Sequence, residues 1–570
     1  MIPVYKLRVA DRNWDDWSVV NSYSLKPVPI PVGLDPIKFK LCNQDIFTYK
    51  NNEVKLLHSS LRSMVGIPAV LVLNNAKTYG KKKDKFLYKC IPDDKRFPVF
   101  LVPHKIRIEF SKKMINKYVV FKFNKWEGKH PEGTIVQVIG EVSKLDNFYE
   151  YQLYCKSLYA SIQNITKKAL QKLKEKTEEE YIEDICKDTT LNDYRNTRNI
   201  FSIDPETSKD FDDAFDIEIN DEYIRVSIYI SNVCLWMDHM DLWDSFSNRI
   251  STIYLPDRKR PMLPTVLSDA LCSLTENDIR FAFELELIIK PDAEEKLVVD
   301  SYNFHNCVIK VSRNLRYDTK EQETFPDYVE LFKVVNKLNT KYKYVTSIDN
   351  SHDVVAYLMI KMNYLCAQKM KNINIGIFRS AKYGEIFNLP DHVPDNIKKF
   401  LRQWNSLGGR YCKNIDEHEM LNLDAYVHIT SPIRRLVDLL NIMKLQDSLG
   451  LYKLKENALL FYERWTCDSS LEYINTTMRS IRKVQNDCNL LNVILNNTEL
   501  LDEKYEGFIF DKLLRNDLLY QYMVYLPKFK MVNRFTSRYD KENLSKQTFR
   551  IFVFEDENTL KQKIRVELLE

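Results

Sequence analysis

Residues 199–219 read NIFSIDPETSKDFDDAFDIEI. NIFSI has the character of a short strand, and FDIEI resumes a strand-like alternation at the far end. Between them, DPETSKDFDDAF reads as a loop. Four carboxylates, Asp204, Asp210, Asp212 and Asp213, fall within ten residues of it. Carboxylates this close repel one another unless a cation sits among them. Hard divalent cations with oxygen ligands are the expected occupants, and magnesium suits phosphate chemistry best. An EF-hand needs Asp at alternate positions, Gly at the sixth and Glu at the twelfth; this spacing differs and the loop has no Gly. A solvated acidic loop fits the same composition.

Outward from the loop, residues 191–500 mix strands such as YIRVSIYI (223–230) with long amphipathic helices. The helices are DVVAYLMIKMNYLCAQKM (353–370) and INTTMRSIRKVQNDCNLLNVILN (474–496). Upstream, KIRIEF (105–110), KYVVFKF (117–123), TIVQVIGEV (134–142) and YEYQLYC (149–155) alternate in β fashion and suggest a small OB-type barrel. GIPAVLVLN (66–74) and DKFLYKCI (84–91) are the clearer strands of a less regular segment before it. Downstream, YEGFIF, LLYQYMVYL, FRIFVF and KIRVELL return to β alternation between 505 and 569. The expected organisation is a degenerate barrel over 1–95, a second barrel over 96–165 and a charged helical connector over 166–194. An α/β body over 195–502 and a C-terminal OB barrel over 503–570 complete it. The fold class is thus multidomain α/β plus β, with barrels on either side of one large body along the chain.

Composition agrees. The 570 residues are 44% hydrophobic and 12% aromatic, with 20 prolines and only 12 glycines, which excludes low-complexity and collagen-like classes. The first residues, MIPVYKLRVADRNWDDW, lack a signal-peptide core, and no apolar run reaches membrane-spanning length. A cytoplasmic setting without membrane contact is the default expectation. The 11 cysteines are dispersed and offer neither a zinc knuckle nor a redox pair. Net charge is +5, but Lys81–Val120 carries 12 basic against 4 acidic residues, interleaved with Phe86, Tyr88, Phe97, Phe100, Phe110 and Tyr118. That pattern suits a surface that neutralises phosphates and stacks bases, or equally a charged face over a β core.

The string IDPETSKDFDDAFDIE (203–218) resembles the signature of the RNB family, the ribonuclease II and ribonuclease R exoribonucleases. STIYLPDRKRPMLPTVLSDALCSL (251–274) and YVHITSPIRRLVDLLN (426–441) resemble two further blocks of that family, in the same order. The segments around 93–110 and 126–142 resemble the cold-shock-type barrel of eukaryotic-type members, and the C-terminal strands resemble the family's RNA-binding OB fold. The layout is closer to members without an N-terminal endonuclease domain.

The resemblance implies a processive 3′→5′ hydrolytic exoribonuclease that degrades single-stranded RNA to nucleoside 5′-monophosphates by two-metal chemistry. Asp204, Asp210, Asp212 and Asp213 would hold magnesium, with manganese as a substitute, and Asp212 would be the catalytically essential carboxylate. Arg434 would contact the scissile phosphate, and Tyr254 and Tyr317 would line the RNA channel. The partner would be RNA, with a helicase or decay complex beside a monomeric catalytic unit. From the residues alone, Thr430 and Ser431 can cap a helix beginning at Pro432, which puts Arg434 in its first turn or in an i,i+4 pair with Asp438.

The chain departs from the family pattern at Ala356 and Tyr357, where a glutamate pair is usual, and at Ile442, Met443 and Gln485. Those changes bear on rate and processivity. They keep open the alternative of a catalytically weakened RNA-binding or scaffold subunit. A DNA nuclease fits the matched framework less well.

Overall fold

The computed structural model describes residues 3–105, 114–383, 389–391, 393–406 and 408–569. The chain divides into two compact units: residues 1–159, 255–257 and 483–570 in one, and 160–254 with 258–482 in the other.

The first unit contains three antiparallel-rich sheets. The N-terminal one has the strand order Pro27–Val28, Trp17–Asn21, Val4–Val9, Ile46–Lys50, Glu53–His58 and closes over Leu7, Val19, Leu41 and Phe47. The next sheet runs from Ile67–Leu71 to Glu132–Glu141, and its Ile67–Leu71 strand pairs with both Lys117–Lys125 and Lys85–Pro92, which closes it into a barrel. The break between the two barrels therefore falls between His58 and Ile67, not near residue 95: the 84–91 strand belongs to the second barrel because its alternate residues Tyr88 and Cys90 enter that core. Within the KIRIEF stretch, residues 106–110 lie outside the described residues.

YEYQLYC is a correction. It lies in a helix, Leu145–Cys155, that buries Phe148, Tyr149, Tyr151, Gln152 and Leu153. Phe148, Tyr151 and Gln152 follow the i, i+3, i+4 rule, and the strand-like look came from the tyrosines at the alternate positions 149 and 151. Of the aromatics interleaved with the basic stretch, Tyr88, Phe97, Phe100 and Tyr118 are core residues, and only Phe86 is exposed among those described. The basic stretch is thus a charged surface over a β core rather than a row of stacking platforms.

The C-terminal sheet runs from Tyr505–Leu514 to Gln562–Leu568 and includes a strand, Met531–Ser537, whose sequence MVNRFTS alternates too weakly to announce itself. Arg12 of the first sheet donates to the carbonyls of Phe97, Pro92 and Asn558, and Lys561 pairs with Asp93 at 2.5 Å. The three sheets of this unit are tied together by those cations.

The second unit is built on a sheet whose strands are Ile200–Asp204, Asp213–Ile219, Ile224–Ser231, Ile279–Pro291 and the long Leu297–Arg316. The last pairs antiparallel with Ile279–Pro291 and parallel with Ile200–Asp204, so the sheet returns on itself. The expected connector is two helices, Gln163–Glu175 and Glu178–Asp188, the second opened by a Thr177–Glu180 capping box. Its last residues, Asn192–Asp193, already pair with Cys307 and Val308 and join the sheet. The Ser351–Asn372 helix, opened by a second capping box at Asn350 and Asp353, lays Val354, Leu358, Met362 and Leu365 against one face of the sheet. No helix among the described residues is long and apolar enough to cross a membrane.

Candidate functional site

Strand direction creates the site. Ile200–Asp204 and Asp213–Ile219 run antiparallel, joined at Phe201 and Phe215, so Asp204 ends one strand where Asp213 begins the other. The intervening loop is pinned from outside. The Ser273 hydroxyl accepts from the Phe211 N–H at 3.0 Å and donates to the Lys209 carbonyl at 2.9 Å, while Leu274 N–H donates to the Phe211 carbonyl. Phe211 is buried against Leu274. The LCSL segment is therefore a clamp on the acidic loop. Ser231 adds to it by donating to the Cys272 carbonyl.

Burial pushes the Asp204 carboxyl up to about 7, opposed by Ser202, Arg316 and Arg434. Asp213 rises well above the usual range, first through burial and then through the charges of Asp204 and Asp212. One oxygen of each, Oδ2, is buried with no hydrogen-bond partner among the described residues. A buried oxygen left bare is costly, and a cation or a proton is what relieves it.

Asp212 is 3% exposed and fully engaged. Its Oδ1 accepts from the Ile433 N–H at 3.0 Å and its Oδ2 from Arg434 Nε at 3.0 Å. Burial raises it to about 7 despite Arg434 and the Ile433 bond, which act the other way. Arg434 Nη2 also donates to Ser431 Oγ, yet the side chain stays 42% exposed.

The TSPIRR segment corrects the sequence expectation. The helix begins at Leu436, not at Pro432, because Arg435 is extended (φ −139°, ψ 125°) and bridges Ser251. Thr252 N–H donates to the Arg434 carbonyl and Leu436 N–H to the Ile250 carbonyl, so residues 434–436 pair as a strand would. Ser431 and Ile433 give their N–H groups to Asp438 and Asp212 and have none left for an incoming anion. Asp438 pairs with Arg435, at 2.7 Å, and not with Arg434.

Asp210 is held differently. Lys259 Nζ lies 2.9 Å from its Oδ1 and 3.0 Å from Asp269 Oδ1, and the Tyr254 hydroxyl lies 3.4 Å from its Oδ2. Tyr254 and Lys259 are cross-strand partners in a two-stranded ribbon, which puts both side chains on one face. Sequence reasoning missed Lys259; the signal was the tight turn in YLPDRK, which makes 254 and 259 neighbours. Tyr317 gives its N–H to the Asp204 carbonyl at 3.0 Å, and its ring stacks on His352 with centroids 3.8 Å apart.

The four aspartates therefore meet at one loop but are not equivalent. Asp204 and Asp213 have bare oxygens that fit a hard cation, whereas Asp210 and Asp212 are occupied by Lys259 and Arg434. Among the described residues no group of three or more His, Cys, Asp or Glu side chains stands ready as a metal site. Of the departures, Tyr357, Ile442 and Met443 are fully buried core residues and Ala356 is partly buried.

The second unit is thus a closed barrel bearing an acidic loop, clamped by LCSL and faced by an arginine turn. The family model for the RNB domain matches residues 191–323, and that for the Dis3-like cold-shock domain 2 (CSD2) matches 87–150. Residues 191–323 are thus similar to the RNB family and residues 87–150 to its Dis3-like cold-shock domain. Ribonuclease R of Aquifex aeolicus (strain VF5) is 26% identical over 313 residues, 42% of this chain and 44% of that protein. Exoribonuclease 2 of Vibrio cholerae serotype O1 (strain M66-2) is 27% identical over 317 residues, 42% of this chain and 46% of that protein. The aligned stretch thus spans less than half the length of either relative. The fold matches Mycoplasma genitalium RNase R in complex with ribose methylated single-stranded RNA, with a TM-score of 0.68 at 14% identity over 99% of this chain and 100% of that one. It also matches yeast Ssd1, a pseudonuclease, with a TM-score of 0.57 at 14% identity over 96% and 81%.

Proposed function

We propose that this chain hydrolyses single-stranded RNA from its 3′ end and releases nucleoside 5′-monophosphates. One observation carries the reading: a buried Asp212, gripped at both oxygens by Ile433 and Arg434, sits beside Asp204 and Asp213, each with one buried oxygen that has no partner among the described residues. A magnesium or manganese ion at Asp204 and Asp213 would neutralise phosphate charge and lower the pKa of a bound water. Arg434 has five N–H donors and commits two to Asp212 and Ser431, which leaves three for a phosphate. Asp212, buried beside those two carboxylates, is placed to accept a proton from the attacking water. Attack at phosphorus breaks the bond to the 3′-oxygen, which leaves with a proton from solvent, and the water oxygen stays on the product phosphate. Tyr254, 39% exposed, offers a ring on which a base can stack regardless of sequence. The reading carries with it RNA as the partner, the barrels as RNA-binding modules, a monomeric catalytic unit and a cytoplasmic setting.

A second reading has an observation of its own. Lys259 neutralises Asp210 from within the protein, which suits an RNA-binding subunit with weakened catalysis. One gel separates the two. With 5′-labelled single-stranded RNA and DNA, each with magnesium or EDTA, the first reading gives a ladder ending in short oligonucleotides for RNA with magnesium alone. Retarded but intact RNA in every lane gives the second.

A further inference from the structure

A cavity of about 620 Å³ lies in the second unit, between the start of the Leu297–Arg316 strand, the residues after the Pro326–Lys341 helix and the Ser351–Asn372 helix. Its walls are Tyr302, Tyr342, Tyr344, Tyr364 and Leu365, and Lys361 reaches into it. Lys361 and Asn363 are two positions apart on one helix and do not share a face. Asn363 points toward Tyr426, Thr430 and Ile429 beside the arginine turn, so Lys361 points away from the acidic loop.

Lys361 is 4% exposed. Its ammonium sits 4.0 Å from the Tyr342 ring centroid and 5.6 Å from that of Tyr344. Among the described residues no carboxylate or hydrogen-bond acceptor pairs with it, and burial alone pulls its pKa down to about 8. Burying a lysine without an anion is unfavourable, and aromatic faces compensate only in part. Tyr344 backs onto Tyr357, whose buried hydroxyl has no partner among the described residues. Asp300, a carboxylate in the wall, pairs with Lys290 at 2.9 Å. The volume falls within the range of about 300–1,000 Å³ typical of small-molecule sites. The chemistry is one buried positive charge inside an aromatic box.

We propose that this cavity binds an anion with a planar aromatic base, a nucleoside 5′-monophosphate, with the phosphate on Lys361 and the base against the tyrosine rings. The choice of ligand rests on the exoribonuclease reading, whose product has this chemistry; the site would then sense product away from the acidic loop.

The test is calorimetric titration of the full chain in EDTA with adenosine 5′-monophosphate, adenosine and inorganic phosphate, repeated on Lys361→Met and Tyr342→Leu. The proposal expects saturable binding of the nucleotide, at least tenfold weaker in Lys361→Met and weakened in Tyr342→Leu, with adenosine and phosphate each binding more weakly than the nucleotide. Thermal melting checks folding, and Lys361→Met removes a buried charge and should melt no lower than the parent. Absence of nucleotide binding, or equal binding by parent and Lys361→Met, overturns it. Lys361-dependent binding by a chain that does not cleave RNA would keep the site and discard the exoribonuclease reading. Cleavage without such binding would do the reverse.

Discussion

Lys259 Nζ stands 2.9 Å from Asp210 Oδ1 and 3.0 Å from Asp269 Oδ1, a bridge between the acidic loop and the π-helical turn Val266–Leu271. It places a fixed positive charge where the sequence alone suggested a fourth metal ligand. Lys259→Met should therefore tighten manganese binding by about tenfold, or about 1.4 kcal/mol, because Asp210 is freed and a repelling charge removed. Electron paramagnetic resonance of free manganese during titration reads the change. Unchanged or weaker binding would show that Lys259 supports the loop rather than competing with the ion.

Arg434 binds Asp212 through Nε and Ser431 through Nη2, a planar geometry that lysine cannot reproduce. Arg434→Lys should lower single-turnover cleavage by about 10²–10³, the effect of removing one donor that stabilises charge in the transition state. RNA affinity in EDTA should change by far less. Equal losses in both would place Arg434 in binding alone.

Ser273 satisfies two backbone groups of the acidic loop at once, both buried or partly buried. Ser273→Ala leaves them unpaired and should destabilise the protein by about 1–3 kcal/mol in urea unfolding. Its manganese affinity should fall as well, since the loop that presents the aspartates is loosened. A variant as stable as the parent would remove the clamp from this account.

Two histidines make stability depend on acid. Burial, reinforced by nearby arginines, lowers His418 to about 4 and His428 well below its ordinary value. His428 also shares a 2.7 Å hydrogen bond with the Tyr411 hydroxyl. The folded state keeps both neutral while the unfolded chain takes up protons below about 6.5, so the unfolded state binds more protons and stability falls as pH falls. Below pH 6.5 each should contribute a slope of up to about 1.4 kcal/mol per pH unit. Urea unfolding at pH 7, 6 and 5 measures it, and His418→Gln should flatten the slope between pH 6.5 and about 4. An unaltered slope would mean that His418 is protonated in the folded protein.

The acidic loop was legible because four carboxylates in ten residues between two strands leave few physical outcomes. The sequence marks the LCSL and TSPIRR stretches only through family resemblance; it gives the first no structural role and suggests a helix start for the second. What escaped depends on contacts distant in sequence. The start of the Leu436–Ser448 helix is set by a bridge to Ser251, some 180 residues away, which overrides the local preference of Thr-Ser-Pro for a cap. Lys259 reaches Asp210 only because a ribbon pairs it with Tyr254. Tyr149 and Tyr151 on the Leu145–Cys155 helix imitated a strand, since aromatic residues favour both settings when buried. The boundary near 95 failed because strand closure joins residues 67–71 to 85–92 across an intervening loop, a pairing that local alternation does not reveal.

The central claim is that Asp212 performs the chemistry, assisted by Arg434, while the barrels hold the RNA. Single-turnover degradation of 5′-labelled single-stranded RNA in magnesium, run beside a filter-binding titration in EDTA, compares the parent with Asp212→Asn. The account predicts that the variant binds RNA within about threefold of the parent and shows no ladder, a loss of at least about 10³ in rate, in line with removal of a catalytic proton-transfer group. A variant that still degrades RNA at a rate close to the parent's would contradict it.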